Sequence, residues 1–400
     1  MTGSSSLTAA GKRVAGGLLS AAWGEPAGTL ATEPVRGRAH VFRLRRDDGR
    51  SAVLKRREDG RHGDFGIELA TLAFLNAMPE PVAPRLLGAD TEAGILVMED
   101  LGLGPSLADS LLTGEFDQAQ AGLIAYARAL GRLHAWSASR GAELAALRAR
   151  YAPGAALEPA WTGAIERGRE AFLGVAAGLG LATDGVGDEI AGLGALMSGS
   201  GPGGSGPAGS GLGGAGYLGL VHGDACPDNV RLAGGECLIF DFETSGWGPV
   251  LLDVAYLLAP FPSCWCFGAV PSDVAMPALD AYRVQGSAGT NDLGPDWAAA
   301  MAAAVAGWLV ARGRVMASAL EEDRRPWGTA GMRPRLLAWL GSFTGAASQA
   351  GVLPRLRALT GQLAEELSSR WPEARVPDYS ALARPGALLV QVPGWWVREG

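Results

Sequence analysis

Two short segments concentrate the residues able to do chemistry. One is His222-Gly223-Asp224-Ala225-Cys226-Pro227-Asp228-Asn229, and Ile239-Phe240-Asp241-Phe242-Glu243 follows it. Asp224 and Asn229 stand five residues apart on one loop between apolar runs, so one side chain can face a reacting hydroxyl and the other a metal ion. Asp241 comes 12 residues after Asn229, past the turn-like Ala233-Gly234-Gly235 and a strand-like run from Cys237 to Phe240. A hairpin of that length can return Asp241 beside Asn229 and give a two-residue magnesium site. Such oxygens are the hard ligands magnesium takes, and a carboxylate beside an alcohol can orient it and accept its proton. Phosphoryl transfer needs these two functions, since the charge on the moving group must be neutralised and the attacking oxygen positioned. A lone Asp in a Gly/Pro loop is more often a turn residue. The point here is that both elements occur together, between strand-like runs.

A cation is also singled out. Of the 34 basic residues 32 are Arg, and only Lys12 and Lys55 are Lys. Lys55 lies within the Arg-rich RRDDGRSAVLKRRE, where a compact ammonium survives among guanidinium groups that it cannot replace. The elements around it follow from periodicity. Ala39 to Arg46 alternates apolar and polar residues, Asp48-Gly49 marks a tight turn, and Ser51 to Arg56 resumes a strand, which is the pattern of a β-hairpin. Phe65 to Ala77 has helical spacing at Ile67, Leu72 and Leu75, with Glu68 near its start. Ile95 to Met98 is a short apolar strand leading to Glu99-Asp100-Leu101-Gly102. The first hundred residues thus read as strands with one helix. From Ser106 the pattern turns helical, with Leu123, Ala127, Leu130 and His134 at helical spacing, and helical patterns return from Asp273 to about Arg370.

Taken together these motifs resemble the aminoglycoside phosphotransferase and choline kinase family, relatives of the protein kinases. The resemblance spans roughly Val35 to Ala259. It implies an α+β, bilobal protein-kinase-like fold: a small antiparallel β lobe over residues 1–102 and a larger, mostly helical lobe over residues 103–400. It implies ATP bound in the cleft, with Asp224 as catalytic base or hydroxyl-orienting carboxylate and Asn229 and Asp241 as Mg2+ ligands. His222 would brace the loop. Lys55 looks like the family's phosphate-contacting Lys and Glu68 like its ion-pair partner, while backbone groups between Glu99 and Leu101 resemble the adenine-binding hinge. Gly248-Pro249 followed by Asp253 looks like the element that buttresses the catalytic loop from a helix. His134 resembles a recurring Leu-His and is read as a packing residue. One departure stands out. Protein kinases carry Gly-x-Gly-x-x-Gly before the Lys strand, whereas Val35 to His40 offers the single Gly37. Arg36, Arg38 and His40 are the candidates to cover the phosphates in its place.

Composition narrows the rest. The net charge of −7 argues against a nucleic-acid or anionic-membrane binder. Residues 1–102 carry 13 basic and 13 acidic side chains and residues 103–400 carry 21 and 28, so the excess negative charge lies in the second part and favours a cationic or neutral acceptor there. The longest uncharged apolar run, Ala298 to Ala311, is too short to span a bilayer and reads as a buried helix. With no signal-peptide pattern at the N-terminus, the expected location is the cytoplasm. Cys226, Cys237, Cys264 and Cys266 fit no zinc pattern and read as buried free thiols. Residues 198–216 are Gly in 10 of 19 positions and read as a flexible, solvated insert, and the apolar C-terminus with Trp395 and Trp396 as a docking segment. Three activities remain in contention: a kinase of a small-molecule hydroxyl, a kinase of Ser or Thr in a peptide of natural-product biosynthesis, and a nucleotide-binding scaffold without turnover.

Overall fold

The computed structural model describes residues 6–35, 38–57, 62–198, 216–259, 261, 263–287, 293, 296–323 and 328–383. The expected insert, save its two end residues, and the tryptophans at 395 and 396 lie outside the described residues. In chain order the elements are α1 (Ala9–Trp23), β1 (Leu30–Pro34), β2 (Val41–Arg46), β3 (Ser51–Arg56), α2 (His62–Leu75), β4 (Leu86–Asp90) and β5 (Ile95–Glu99). Next come α3 (Leu107–Thr113), α4 (Phe116–Ser137), α5 (Gly141–Tyr151), α6 (Ala160–Gly178), α7 (Val186–Ala191) and α8 (Leu193–Met197). The strands β6 (Leu218–Val221), β7 (Val230–Ala233), β8 (Glu236–Ile239) and β9 (Gly246–Pro249) follow, then α9 (Leu251–Val254). The chain ends in α10 (Ser272–Gly286), α11 (Trp297–Ala311), α12 (Gly313–Glu321), α13 (Met332–Ala350) and α14 (Pro354–Arg370).

These elements form two compact units. The first takes in residues 1–104, 142–157 and 238–245, and the second residues 105–141, 158–237 and 246–400. In the first, five antiparallel strands run in the order β1-β2-β3-β5-β4. The two-residue period of a strand decides what each face holds. Phe42 and Leu44 of β2 lie opposite Leu54 and Ala52 of β3, and Leu54 lies opposite Val97 of β5. All five are buried on the face where Ala15 and Leu19 of α1 pack. Lys55, one position on, points to the opposite face, across from Leu96. Glu68, Leu69 and Leu72 of α2 are buried in the same unit. Helix α1 is an element the sequence reading omits. Its residues are small and weakly patterned, with Gly16 and Gly17 at its centre, and its start is set by Thr8, whose hydroxyl accepts the Gly11 N–H at 3.1 Å.

The second unit is mostly helical. Its first helix, α3, begins with a reciprocal cap in which Ser106 accepts the Asp109 N–H and Asp109 accepts the Ser106 N–H. Helix α11 is buried from Ala300 to Val310, as a helix apolar on every side must be. Among the described residues no single helix is long and apolar enough to cross a membrane.

Small residues let the neighbours of α11 approach. A Cβ at Gly168 of α6 would run into the Val310 carbonyl oxygen, whereas one at Gly174 of the same helix would meet nothing within 4 Å. Gly168→Ala is therefore expected to lower stability by about 1–3 kcal/mol through overpacking. Gly174→Ala should raise it by up to about 1 kcal/mol, because Ala is the better helix former. Urea unfolding of the two variants checks this, and shifts of the same sign would contradict the packing described.

Candidate active site

In the first unit the strand alternation aims Lys55 at α2. Its Nζ lies 2.6 and 2.8 Å from the two Glu68 carboxylate oxygens and 2.5 Å from Oδ1 of Asp241. Burial disfavours the ammonium charge, but the Glu68 and Asp241 carboxylates outweigh it and hold Lys55 well above its ordinary pKa. Arg38 adds a second cation, 3.7 Å from the other Asp241 oxygen. Glu68, Asp241 and Glu243 present oxygens that all lie within 4.8 Å of one another.

Asp241 has φ 74° and ψ 55°, in the left-handed region where Asp is among the few side chains tolerated. The residues after it are pinned. The Ser245 hydroxyl bonds the Phe242 carbonyl at 2.7 Å and lies 2.8 Å from the Thr71 hydroxyl of α2. Arg148 of α5, buried, donates to the Ser245 carbonyl. On the other side of Asp241, the Ile239 N–H donates to the Val82 carbonyl at 2.8 Å.

The segment at the end of β5 is held by Arg43, which grips Asp100 with two hydrogen bonds of 2.7 and 3.0 Å. Burial raises the Asp100 pKa, yet the hydrogen bonds led by Arg43 leave it below its ordinary value. The Glu99 N–H donates to the Arg85 carbonyl at 2.9 Å. The Leu101 N–H has no hydrogen bond among the described residues.

In the second unit β6 runs directly into the His222–Asn229 loop. Asp253, at the start of the short helix α9, is fully buried and accepts the N–H of His222 at 2.6 Å and of Gly223 at 3.0 Å. His134 of α4 lies 3.3 Å from the same carboxylate through Nε2 and 3.0 Å from the Tyr282 hydroxyl through Nδ1. Gly223 has φ 81°, a conformation glycine adopts without strain. The Asp224 N–H donates to Nδ1 of His222 at 3.2 Å. The Asn229 amide donates to the Asp224 carbonyl at 2.9 Å and to its Oδ2 at 3.2 Å. This leaves Oδ1 of Asn229 without a hydrogen bond among the described residues. Tyr126 donates to the Ala225 carbonyl at 2.7 Å and Trp161 to the Gly223 carbonyl.

One cysteine expectation is overturned. Cys226, in this loop, is joined to Cys264 by a disulfide, with Cα atoms 5.9 Å apart. The partners stand 38 residues apart in no recognisable framework, so the pairing comes from the path of the chain after α9. Cys237 and Cys266 are free and buried.

The structure thus brings Lys55, Glu68 and Asp241 together in one unit and His222, Asp224, Asn229 and Asp253 together in the other. His134, read as packing, also ties Asp253, and its polar ring on a buried helix face was the available signal. Arg148, Tyr126 and Trp161 had none.

A family model described as the phosphotransferase enzyme family matches residues 32–313. No curated protein matches the chain in sequence. Among solved structures, a putative aminoglycoside phosphotransferase from Ralstonia eutropha JMP134 aligns at 16% identity and TM-score 0.46, covering 86% of this chain and 94% of that one. A choline kinase from Cryptosporidium parvum Iowa II aligns at 12% identity and TM-score 0.45, covering 86% and 90%. A macrolide 2'-phosphotransferase from Brachybacterium faecium aligns at 20% identity and TM-score 0.42, covering 78% and 92%.

Replacing Asp253 by Ala leaves two buried loop N–H groups without an acceptor, which should cost on the order of 3 kcal/mol. Thermal unfolding measures this, and an unchanged melting temperature would show that the loop is held by something else.

Proposed function

Since this chain belongs to the phosphotransferase enzyme family, we propose that it transfers the γ-phosphoryl group of ATP to a hydroxyl of a small molecule, with Mg2+ as cofactor. The observation that carries this reading is the Lys55 ammonium held between Glu68 and Asp241. A cation fixed in this way, on a strand and against a helix, is placed to meet phosphate oxygens rather than to serve as a solubilising charge.

The donor chemistry fits the metal. Asp241 offers a carboxylate, and Asn229 offers a carbonyl oxygen whose own amide is already spent on Asp224. When bound, magnesium supplies positive charge to the phosphate oxygens. Every other function falls to side chains. Lys55 contacts the phosphates, and Glu68 keeps it extended. The backbone between Glu99 and Leu101 receives the adenine, with the Leu101 N–H as donor. Asp224 orients the acceptor hydroxyl and takes its proton as the oxygen attacks. His222 and Asp253 hold the loop that carries Asp224.

The test is transfer of labelled γ-phosphate from ATP, in magnesium, to a panel of hydroxylated antibiotics, amino alcohols, sugars and Ser/Thr-rich peptides. Asp224→Ala and Asp241→Ala are each expected to cut transfer by about 100-fold or more while circular dichroism stays native. Near-normal turnover in either variant would remove that residue from the site, and phosphorylation of the peptides alone would replace the small-molecule acceptor.

A further inference from the structure

The aromatic side chains beside Asp224 already hold a cation. Arg312, at the junction of α11 and α12, places its guanidinium 4.7 Å from the ring of Trp161 and 5.6 Å from that of Trp308. The two indoles approach to 3.8 Å between centroids. Both are anchored to backbone by their ring N–H: Trp161 on the Gly223 carbonyl, next to Asp224, and Trp308 on the Leu252 carbonyl at 2.7 Å, next to Asp253. Trp308 also packs on Tyr256 at 4.9 Å. The guanidinium is therefore one indole away from the loop that carries Asp224, and Asp224 is among the charges it senses.

Arg312 is half-buried, yet its side chain makes no hydrogen bond or ion pair among the described residues. Other sheltered cations do have oxygen partners: Arg43 has Asp100, Lys55 has Glu68 and Asp241, and the buried Arg335 has the Cys264 and Ala330 carbonyls. None of its nitrogens is among the buried atoms without a partner, so its five N–H donors stay open to an acceptor that arrives from outside. Stacking satisfies the faces of the guanidinium and leaves its edge, the part that grips a carboxylate or phosphate in two-point fashion. Arg335 lies within electrostatic range and adds to the positive field.

We infer that the acceptor bears an anionic group, a carboxylate or phosphate on the same molecule as the hydroxyl, and that Arg312 is the residue that selects it. The inference rests on the phosphotransfer reading above and narrows its acceptor. It runs against the excess of acidic residues in the second part of the chain, because a bound group responds to the charge beside it before it responds to a distant total. A cationic acceptor would have to displace Arg312 from the indoles it occupies.

The experiment uses the full-length protein with ATP and magnesium and two matched sets of compounds: gluconate, glucose and glucosamine, then glycerate, glycerol and serinol. Nucleotide binding and ATP hydrolysis without acceptor are measured first. Binding by calorimetry and transfer of labelled phosphate then follow for each compound. The acid of at least one set is expected to lead its neutral and cationic partners by about tenfold or more, as a charge-assisted hydrogen bond requires. Arg312→Met should raise KM for that acid more than it changes kcat and leave the neutral partner's KM nearly unmoved. Arg312→Lys should keep part of the preference, and Arg312→Glu should turn it toward the amine. If glucosamine or serinol leads, if neither acid binds, or if Arg312→Met weakens all three members of a set equally, the inference is wrong while the phosphotransferase reading stands. Absence of nucleotide binding would bring down the phosphotransferase reading and this one with it. Should Arg312→Met fail to fold, the order of the three compounds on the unaltered protein still decides.

Discussion

A carboxylate with no access to water has to be given donors, and Asp253 obtains them from the backbone of the loop that carries Asp224. Two consecutive N–H groups, those of His222 and Gly223, converge on its oxygens. Such convergence requires the chain to turn sharply, which it does at Gly223 with φ 81°. Once those amides are committed, the rest of the loop follows. His222 can receive the Asp224 N–H, Asn229 can reach back to Asp224, and Tyr126 and Trp161 close on the carbonyls in between. The position of the Asp224 carboxylate is thus inherited from the buried Asp253. Burying a charge is costly, so a residue of this kind is kept for the geometry it imposes rather than for net stability.

The first unit meets the same requirement with the signs reversed. Lys55 sits where a cation is disfavoured by burial, and two carboxylates from distant parts of the chain answer it. One comes from α2 and is aimed by helix packing. The other, Asp241, depends on a backbone conformation few residues accept, and on Ser245, Arg148 and Thr71 to keep the following turn in place. Both units therefore fix a polar side chain through a neighbouring buried polar group.

Much of the fold was legible because it is written in local periodicity. Alternation over Ala39 to Arg46 and Ser51 to Arg56 corresponds to the strands Val41–Arg46 and Ser51–Arg56, and the apolar run before Ala311 to the buried helix Trp297–Ala311. Helix α1 escaped because residues as small as Ala and Gly leave little apolar periodicity to detect. At the site, Asp224, Asn229 and Asp241 could be named from spacing, and Lys55 and Glu68, paired by the family resemblance, do meet. What could not be read were the residues that arrive from elsewhere. Arg148, Trp161, Arg312 and Cys264 sit in stretches with no motif, and each gains its meaning only from a neighbour dozens of positions away. His134 is intermediate, since its type was informative but its partner was not.

The first unit is not contiguous in the chain. Its sheet is complete by residue 104, but it also takes in residues 142–157 and 238–245. Gly66 of α2 lies so close to Tyr151 and Ala152 that it has no room for a side chain, and Thr71 needs Ser245. On a ribosome adding roughly 5–20 residues per second, the wait between the end of the sheet and the arrival of Ser245 is on the order of ten seconds. Throughout that interval the nascent sheet carries a helix whose buried polar face lacks its partners, beside a Lys55 that has met only one of its two carboxylates. The unit that emerges first is therefore among the last to be finished. Separating the chain at the sheet's end would cut through one compact unit.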